Sequence, residues 1–330
     1  MTSCQWRANP LNILSFSCGD RGWQSALQEA GSTLGETFMT TAIRKRGLRR
    51  SKLVAKGGTW KAIAAANASA ADIVHIELES GFPPEARAAA VETTRMALTE
   101  MDWSGKEAWV RFPHIDAPET KTHLAYVLGG RPHLVYCAKV KSVDDILRLD
   151  EAVSRGEDEN GIEPGSTQIG AVIERIEALS NVEAIAAASP RMGAIMFGAN
   201  DMSLDFGYRR TGIVGVDHET LYIRSRMVLA GRLAKIDIID AAFMNRNDIE
   251  SSDADAQFSA RMGFTGKNAL SADQIPGIHR AFVPTPKELT WAREVLAAAA
   301  HEDVSLRLID GDPIEAFDIL RAETLIARAG

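Results

Sequence analysis

The chain has 330 residues, 25% of them charged, and its net charge of −7 excludes a protein whose main task is to neutralise nucleic-acid phosphates. Its three cysteines lack C-x-x-C spacing, which excludes a disulfide framework and a structural zinc site, and no apolar run reaches the roughly 20 residues that cross a bilayer. These features predict a cytoplasmic protein without nucleic-acid or membrane partners.

The central part of the chain, residues 48–283, alternates short apolar runs with amphipathic segments of helix length, which is typical of β-α units around a parallel sheet. Residues 1–47 show no sustained period and are predicted to form an N-terminal extension. Eight units in about 230 residues predict a (β/α)8 TIM barrel, and no G-x-G-x-x-G follows the first strand as a doubly wound sheet requires. The predicted strands are 51–55, 73–78, 108–112, 134–140, 168–174, 192–197, 236–241 and 264–270, and predicted helices include 84–100, 142–153, 178–188, 219–234 and 249–262.

Residues 284–330 exceed what a closed barrel needs. They contain two Ala-rich helical segments, predicted at 286–301 and 313–329. We expect them to form a C-terminal helical arm that packs on a neighbouring subunit.

Polar residues follow several of the predicted strands at their carboxyl ends, which is where barrel enzymes carry their reacting groups. One such residue alone is often only a solvated strand end or part of a salt bridge. Together they place carboxylates and cations on one rim. These residues are Glu77, Glu79, Arg111, Lys139, Glu174, Asn200 and Asp201.

Glu174 and Asp201 are one β-α-β step apart, so adjacent strands bring their carboxylates to a common point. Two converging carboxylates repel unless a cation lies between them, and Mg2+ takes one or two protein carboxylates while leaving positions for water and substrate oxygens. A 2-oxo acid could chelate such an ion, which would polarise its carbonyl. The structural alternative pairs Glu174 with Arg175 or Arg191 and makes Asp201 a turn cap.

Arg111 lies in an apolar strand yet is permanently charged, so it needs an anionic partner. At a barrel mouth it can stabilise a substrate carboxylate or an enolate oxygen, and Glu79 on the adjacent strand is its expected structural partner. Lys139 ends the next strand. A desolvated lysine there could form a Schiff base, although a plain electrostatic or structural role is favoured.

A basic run precedes and enters the first strand, ending with Arg49, Arg50 and Lys52. Such a run is usually a solvated linker. Beside a barrel, Arg50 and Lys52 could instead meet the phosphates of a nucleotide-like ligand.

From about Arg49 to the C-terminus, the chain resembles the HpcH/HpaI aldolase and citrate lyase β-subunit family, and within it the malyl-CoA and β-methylmalyl-CoA lyases. The resemblance covers roughly 270 residues, with order and spacing kept. It rests on SAADIVHIELES (69–80), DWSGKEAWVRFPHIDAP (102–118), AVIER (171–175), residues 182–215 and FVPTPKELTWAREVLAAA (282–299).

This resemblance implies a lyase dependent on Mg2+, or Mn2+, that breaks or forms the bond between an acyl-CoA α-carbon and a 2-oxo acid carbonyl. Glu174 and Asp201 match the metal ligands, Arg111 the arginine that holds the oxo acid or enolate, and Glu79 the acidic residue that ends strand two. Asp310 matches an acid/base that acts in the active site of an adjacent subunit. A homotrimer or hexamer is expected.

The CoA thioester is the implied substrate, and its candidate binding residues are Arg50, Lys52 and Lys139. The chain departs from the family pattern elsewhere, which keeps two alternatives open: an aldolase on free 2-oxo acids, including a Schiff-base version using Lys139, and a catalytically silent metabolite-binding homologue. The departures are Ser80 in D-L-E-D, Pro113 in R-x-N, Ala138 for the proline before Lys139, and Leu270, Ser271 and Ala272 in place of I-H-P.

Overall fold

The structure is a computed structural model, and it describes residues 6–8, 14–16, 47–56, 59–81, 83–210, 218–301 and 308–329. The chain divides into two units, Met1–Ala42 and Ile43–Gly330. In the first, Trp6–Ala8 pairs with Leu14–Phe16 as two antiparallel strands. Most of the predicted extension, 1–47, lies outside the described residues.

The second unit contains eight parallel strands that close into a barrel, in the order β8-β1-β2-β3-β4-β5-β6-β7. This confirms the predicted (β/α)8 TIM barrel. The fourth strand ends earlier than predicted, because Lys139 has a φ of 59° and an extended strand cannot continue through that conformation. The strands are β1 Ser51–Lys56, β2 Ile73–Glu77, β3 Glu107–Phe112, β4 Leu134–Cys137, β5 Gln168–Ile173, β6 Met192–Phe197, β7 Asp237–Asp240 and β8 Gly266–Ala269.

Helices follow the strands, and the predicted helix 178–188 is in fact two short ones because Asn181 has a non-helical backbone (φ −115°, ψ 15°). The helix predicted at 142–153 runs on to Glu159 and begins with a capping box between Ser142 and Asp145. In the described part of the chain, no helix is long and apolar enough to cross a membrane. The helices are α1 Trp60–Ala68, α2 Arg87–Glu100, α3 Thr120–Leu128, α4 Val143–Glu159, α5 Ile176–Ser180, α6 Val182–Ala186, α7 Ala199–Phe206, α8 Leu221–Ala234, α9 Ile249–Met262, α10 Ile275–Phe282, α11 Pro286–Ala299 and α12 Ala316–Ala329.

The barrel has an apolar interior column that is separate from the larger core between strands and helices. Below this column, at the N-terminal end, Arg49 forms buried ion pairs with Glu107 at 2.8 Å and Asp237 at 3.3 Å. The interior is therefore a packed core closed at one end, and polar groups reach it from the opposite end. The column comprises Ile73, Trp109, Leu134, Tyr136, Val172, Ala194, Met196 and Ile239.

The C-terminal arm is formed by α11, α12 and a two-stranded antiparallel turn, β9 Leu308–Ile309 and β10 Asp312–Pro313, between them. It has a small core of its own, in which Ala292, Val295 and Ala322 are buried. Both predicted arm helices are present. Packing of the arm on a neighbouring subunit stays a prediction.

A buried ion network ties β7 and β8 to the outer helices. Lys267 Nζ lies 3.1 Å from Asp240 Oδ2 and 2.6 Å from Asp255 Oδ2, and Asp240 also pairs with Arg224 at 3.3 Å. Lys267, Arg224 and Asp240 are all at most 1% exposed. Each charge here depends on the others for compensation.

We expect Lys267→Met to destabilise the protein by about 3 kcal/mol, since it leaves two carboxylates with one buried cation. Urea unfolding at pH 7 measures this effect. Lys287→Met, on the exposed face of α11, is the matched control and should change stability by less than about 0.5 kcal/mol. An equal effect of the two substitutions would contradict the role of the network.

Candidate active site

The structure brings most of the predicted rim residues into one connected cluster. Glu79 Oε2 lies 3.3 Å from Arg111 Nη2, and Glu79 Oε1 lies 3.3 Å from Lys139 Nζ. The backbone N–H of Lys139 donates to Glu174 Oε1 at 2.7 Å. Three consecutive strands and the loop after β2 therefore converge at the C-terminal mouth of the barrel.

Glu174 directly follows β5 and is 2% exposed. Burial raises the pKa of Glu174 to about 7; Arg111 and the Lys139 N–H oppose this rise, whereas the charges of Asp201 and Glu79 add to it. Asp201 lies in the first turn of α7, one β-α unit further along. The two predicted metal ligands are therefore close enough to repel each other.

The close approach of the two elements depends on Gly198, which joins β6 to α7. A Cβ at this position would lie 2.4 Å from the Cβ of Glu174 and 2.7 Å from its Oε2, so any larger residue would displace the carboxylate. The glycine thus permits Glu174 to lie against the backbone at the start of α7.

The structural alternative for Glu174 is wrong, because the two arginines proposed for it have other partners. Arg175 pairs with Asp205 at 3.2 Å, and Arg191 pairs with Glu157 at 2.7 Å. Within the described ranges, neither Glu174 nor Asp201 forms a side-chain ion pair. Glu174 is the buried member of the two, and a buried carboxylate is stable in its charged form only beside a compensating cation.

This donor set fits a hard divalent cation. Glu174 and Asp201 would be its protein ligands, and Mg2+ commonly binds through one or two carboxylates while keeping the remaining positions for water and substrate. A second acidic group, His114 with Asp116 and Asp145, fits less well. There the Arg148 guanidinium already contacts Asp116 at 3.1 Å and Asp145 at 2.5 Å, so the charge is compensated.

Arg111 is held by more than its predicted partner. Its Nη2 contacts Glu77 Oε2 as well as Glu79, and it donates to Ser80 Oγ at 3.2 Å. Although burial acts to raise the pKa of Glu77, contacts with His75 and Arg111 hold it below the usual range. Glu77 also accepts hydrogen bonds from the backbone N–H groups of Glu79 and Ser80, at 2.6 Å and 3.2 Å.

Glu77 is thus a site residue that the sequence reasoning noted at the strand end but did not select. The strand register is the signal that could have identified Glu77. Glu77 and Arg111 are aligned neighbours on β2 and β3, so their side chains lie on the same face of the sheet. Glu79 lies beyond the end of β2, and its reach to Arg111 depends on the conformation of the loop.

The prediction that Arg50 and Lys52 meet the phosphates of a ligand beside the barrel is not supported by their contacts. Arg50 precedes β1, at the opposite end of the barrel, and forms a bidentate pair with Asp72 at 2.9 Å. Lys52 points inward and is 3% exposed; its Nζ lies 3.1 Å from His75 Nδ1 and 2.8 Å from Asn268 Oδ1. The segment 17–46, which includes the start of the basic run, lies outside the described residues.

Of the two remaining predicted site residues, Lys139 lies at the mouth of the barrel and Asp310 lies in the C-terminal arm. Lys139 lies on the rim with its side chain 51% exposed and paired with Glu79. Asp310 is exposed at the turn between β9 and β10, with a φ of 52°. Its predicted action in an adjacent subunit stays a prediction.

Comparison with known proteins shows the family to which the chain is similar. A family profile described as HpcH/HpaI aldolase/citrate lyase matches residues 50–272. An L-malyl-CoA/beta-methylmalyl-CoA lyase of Cereibacter sphaeroides is 30% identical over 284 residues, covering 79% of this chain and 88% of the relative. The citrate lyase subunit beta of Escherichia coli is 28% identical over 289 residues, covering 87% and 95% of the two chains.

Among solved structures, the protein CitE from Mycobacterium tuberculosis in complex with magnesium, acetoacetate and coenzyme A is 25% identical, with a TM-score of 0.68. The match covers 87% of this chain and 100% of that one. The extent of the profile match and the identity to the curated relatives lead to one assignment. The chain belongs to the HpcH/HpaI aldolase/citrate lyase family and is a carbon–carbon lyase.

Proposed function

We propose that the protein is a Mg2+-dependent lyase that cleaves, or forms, a 3-hydroxyacyl-CoA of malyl or citramalyl type, with an acyl-CoA and a 2-oxo acid as the other partners. The observation that carries this proposal is the buried Glu174, which has no side-chain ion pair among the described residues and on which the charges of Asp201 and Arg111 both act. The malyl-CoA lyase relative and the CitE complex with magnesium and coenzyme A support the substrate class.

Glu174 and Asp201 would hold the ion, and the Lys139 N–H orients one oxygen of Glu174 through a 2.7 Å hydrogen bond. When bound, Mg2+ supplies a Lewis acid for the carbonyl and carboxylate of the 2-oxo acid. Arg111 is fixed by Glu77 and Glu79, so its guanidinium is oriented before substrate arrives. A preorganised cation of this kind stabilises negative charge as it develops.

In the cleavage direction, a base removes the proton of the 3-hydroxyl group, the new carbonyl forms, and the electrons of the broken C–C bond pass to the thioester enolate. Arg111 stabilises that charge, and an acid then protonates the α-carbon. We assign the acid/base role to Asp310 of an adjacent subunit and an electrostatic role to Glu79. This assignment requires a homotrimer or hexamer in which the arm reaches a neighbouring rim.

The test is a cleavage assay with malyl-CoA and citramalyl-CoA as substrates. The rate is measured as the amount of 2-oxo acid released over time. We expect Mg2+-dependent turnover that EDTA abolishes and added Mg2+ restores. Turnover that survives EDTA would contradict the metal role. Cleavage of free hydroxy acids but not of their CoA thioesters would favour the aldolase alternative, and binding without turnover on any of these compounds would favour the silent homologue.

Borohydride reduction in the presence of pyruvate tests whether Lys139 forms a Schiff base with the 2-oxo acid. Its side chain is half-exposed and paired with Glu79 at 3.3 Å, so it lacks the desolvation that makes a lysine nucleophilic. We therefore expect no covalent adduct by mass spectrometry. An adduct that Lys139→Met removes would establish the Schiff-base version instead.

A further inference from the structure

A row of polar side chains crosses the barrel interior from β8 through β1 and β2 and ends at Arg111 on β3. Lys52 Nζ donates to Asn268 Oδ1 at 2.8 Å and lies 3.1 Å from His75 Nδ1. On the other side of the imidazole ring, His75 Nε2 lies 3.4 Å from Glu77 Oε2, and the same oxygen contacts Arg111 Nη2. We call Asn268, Lys52, His75 and Glu77 the polar chain.

Lys52 and His75 are unusual occupants of this space. They are 3% and 4% exposed, beside a column of otherwise apolar side chains. Burying polar groups costs free energy unless they are hydrogen-bonded, and apolar side chains of similar size would fill the same volume without that cost. Packing alone therefore does not account for the pair.

The hydrogen bonds of the polar chain have a defined direction. The Glu77 carboxylate only accepts hydrogen bonds, so the ring nitrogen that faces it, His75 Nε2, carries a proton. Burial and the nearby Lys52 lower the pKa of His75 to about 3, so the ring is neutral and Nδ1 is an acceptor. Lys52 is then the donor to Nδ1. Asn268 orients Lys52 in turn, because its own amide N–H is used by the backbone oxygen of Asp240 at 3.1 Å.

Glu77 is the point at which the polar chain meets the active site. Its Oε1 accepts the backbone N–H groups of Glu79 and Ser80, so this oxygen is fixed by the loop after β2. Its Oε2 is shared between His75 and Arg111. Within the described ranges, His75 Nε2 has no other hydrogen-bond partner, so the donor is available to this oxygen alone.

We infer that His75, oriented by Lys52, is a positioning residue that donates its Nε2–H to Glu77 Oε2 and thereby fixes the guanidinium of Arg111. The inference rests on the proposed function, in which Arg111 stabilises the enolate. A contact of 3.4 Å is long for a hydrogen bond in the free protein, and active-site hydrogen bonds commonly tighten when substrate binds.

The kinetic test removes the polar chain without leaving a buried amine unpaired. The double variant Lys52→Met/His75→Phe replaces both side chains by apolar ones of similar size, whereas His75→Gln keeps an N–H donor near the position of Nε2. We expect kcat/KM to fall about tenfold in the double variant, the lower end of what a hydrogen bond to a charged group contributes. It should stay within about threefold of the wild type in His75→Gln.

The Arg111→Met background separates positioning from a merely structural role. If the polar chain acts through the guanidinium, Lys52→Met/His75→Phe should lower kcat/KM by less than about twofold once Arg111 is absent. Thr94→Val is the matched control for loss of a buried polar group, since Thr94 is 0% exposed on α2 and donates to the Ala90 oxygen at 2.8 Å. It should leave kcat/KM unchanged. No loss in the double variant, or an equal loss with and without Arg111, would overturn the inference.

Nitrogen-15 NMR of the metal-free protein, labelled at histidine and arginine, tests the same contacts without turnover. We expect His75, identified by its absence in His75→Gln, to carry its proton on Nε2 between pH 5 and pH 9. The charged or titratable groups around the ring are Lys52, Glu77, Arg111 and Tyr136. The Nε–H signal of Arg111, identified with Arg111→Met, should shift in Lys52→Met/His75→Phe.

A proton on Nδ1, an imidazolium at pH 6 or an unmoved Arg111 signal would contradict the positioning role of His75 even if the lyase is active. The converse failure is also distinct. If the wild type cleaves neither malyl-CoA nor citramalyl-CoA, the proposed function fails, and the NMR signals of His75 and Arg111 still decide whether the polar chain holds the guanidinium.

Discussion

Glu174→Gln is expected to abolish Mg2+-dependent turnover while making the metal-free protein more stable at pH 8. Loss of a residue that only hydrogen-bonds a metal ligand typically weakens metal binding by about 10- to 100-fold. Loss of a charged ligand itself should therefore weaken Mg2+ binding by at least about a hundredfold. The gain in stability has a separate cause. Burial raises the pKa of Glu174 from 4.5 to about 7, which corresponds to about 3 kcal/mol.

The pH dependence follows from the sign of this shift. Between pH 4.5 and 7 the unfolded chain has released the Glu174 proton while the folded chain keeps it, so the wild type loses stability as the pH rises through this window. Glutamine has no such cost and can still accept the Lys139 hydrogen bond. The variant should therefore gain about 3 kcal/mol over the wild type at pH 8 and little near pH 4.5.

Urea unfolding with EDTA, at pH 4.5 and pH 8, measures this difference, and calorimetry with Mg2+ measures the loss of binding. Saturating Mg2+ should stabilise the wild type but not the variant. Glu177→Gln is the matched control, because the Glu177 side chain is 52% exposed on α5. Unchanged Mg2+ affinity in Glu174→Gln would contradict the metal assignment, whatever the stability data showed.

Arg111→Met is expected to lower kcat/KM by at least about a hundredfold and to destabilise the protein by about 3 kcal/mol at pH 8. The substitution leaves the buried Glu77 without its guanidinium. Because the pKa of Glu77 is held low in the folded state, its stabilising contribution is present above about pH 4.5 and is lost as the pH falls. The difference between wild type and variant should therefore shrink in acid.

The double variant Glu77→Gln/Arg111→Met separates the two effects, since it removes both charges at once. It should recover most of the stability lost in Arg111→Met, measured by urea unfolding at pH 8, but none of the activity. Arg155→Met, with its side chain 66% exposed on α4, serves as the control for the loss of a surface arginine. If the double variant is no more stable than the single one, Glu77 and Arg111 do not form the energetic pair described here.

The sequence by itself determined the barrel and the rim. Eight apolar runs alternating with amphipathic segments predict parallel strands buried on both faces, and all eight strands are present. Since parallel strands end at one edge, the residues at the carboxyl ends of β2, β3, β4 and β5 are expected to lie close together. The contact of Lys139 with Glu174 follows from that rule, whereas the contacts of Glu79 with Arg111 and Lys139 also depend on the conformation of the loop after β2.

Only the tertiary structure decided which side chains enter the barrel. Both faces of these strands are buried, so the polarity pattern does not mark the inward face, and Lys52 appeared in the sequence as part of a basic surface run. Closure of the barrel places it beside His75 and Asn268, aligns Tyr136 with Arg111, and makes Glu77 the arginine's partner. These placements depend on strand register and on which strands become neighbours across the closed sheet, and no local segment encodes either.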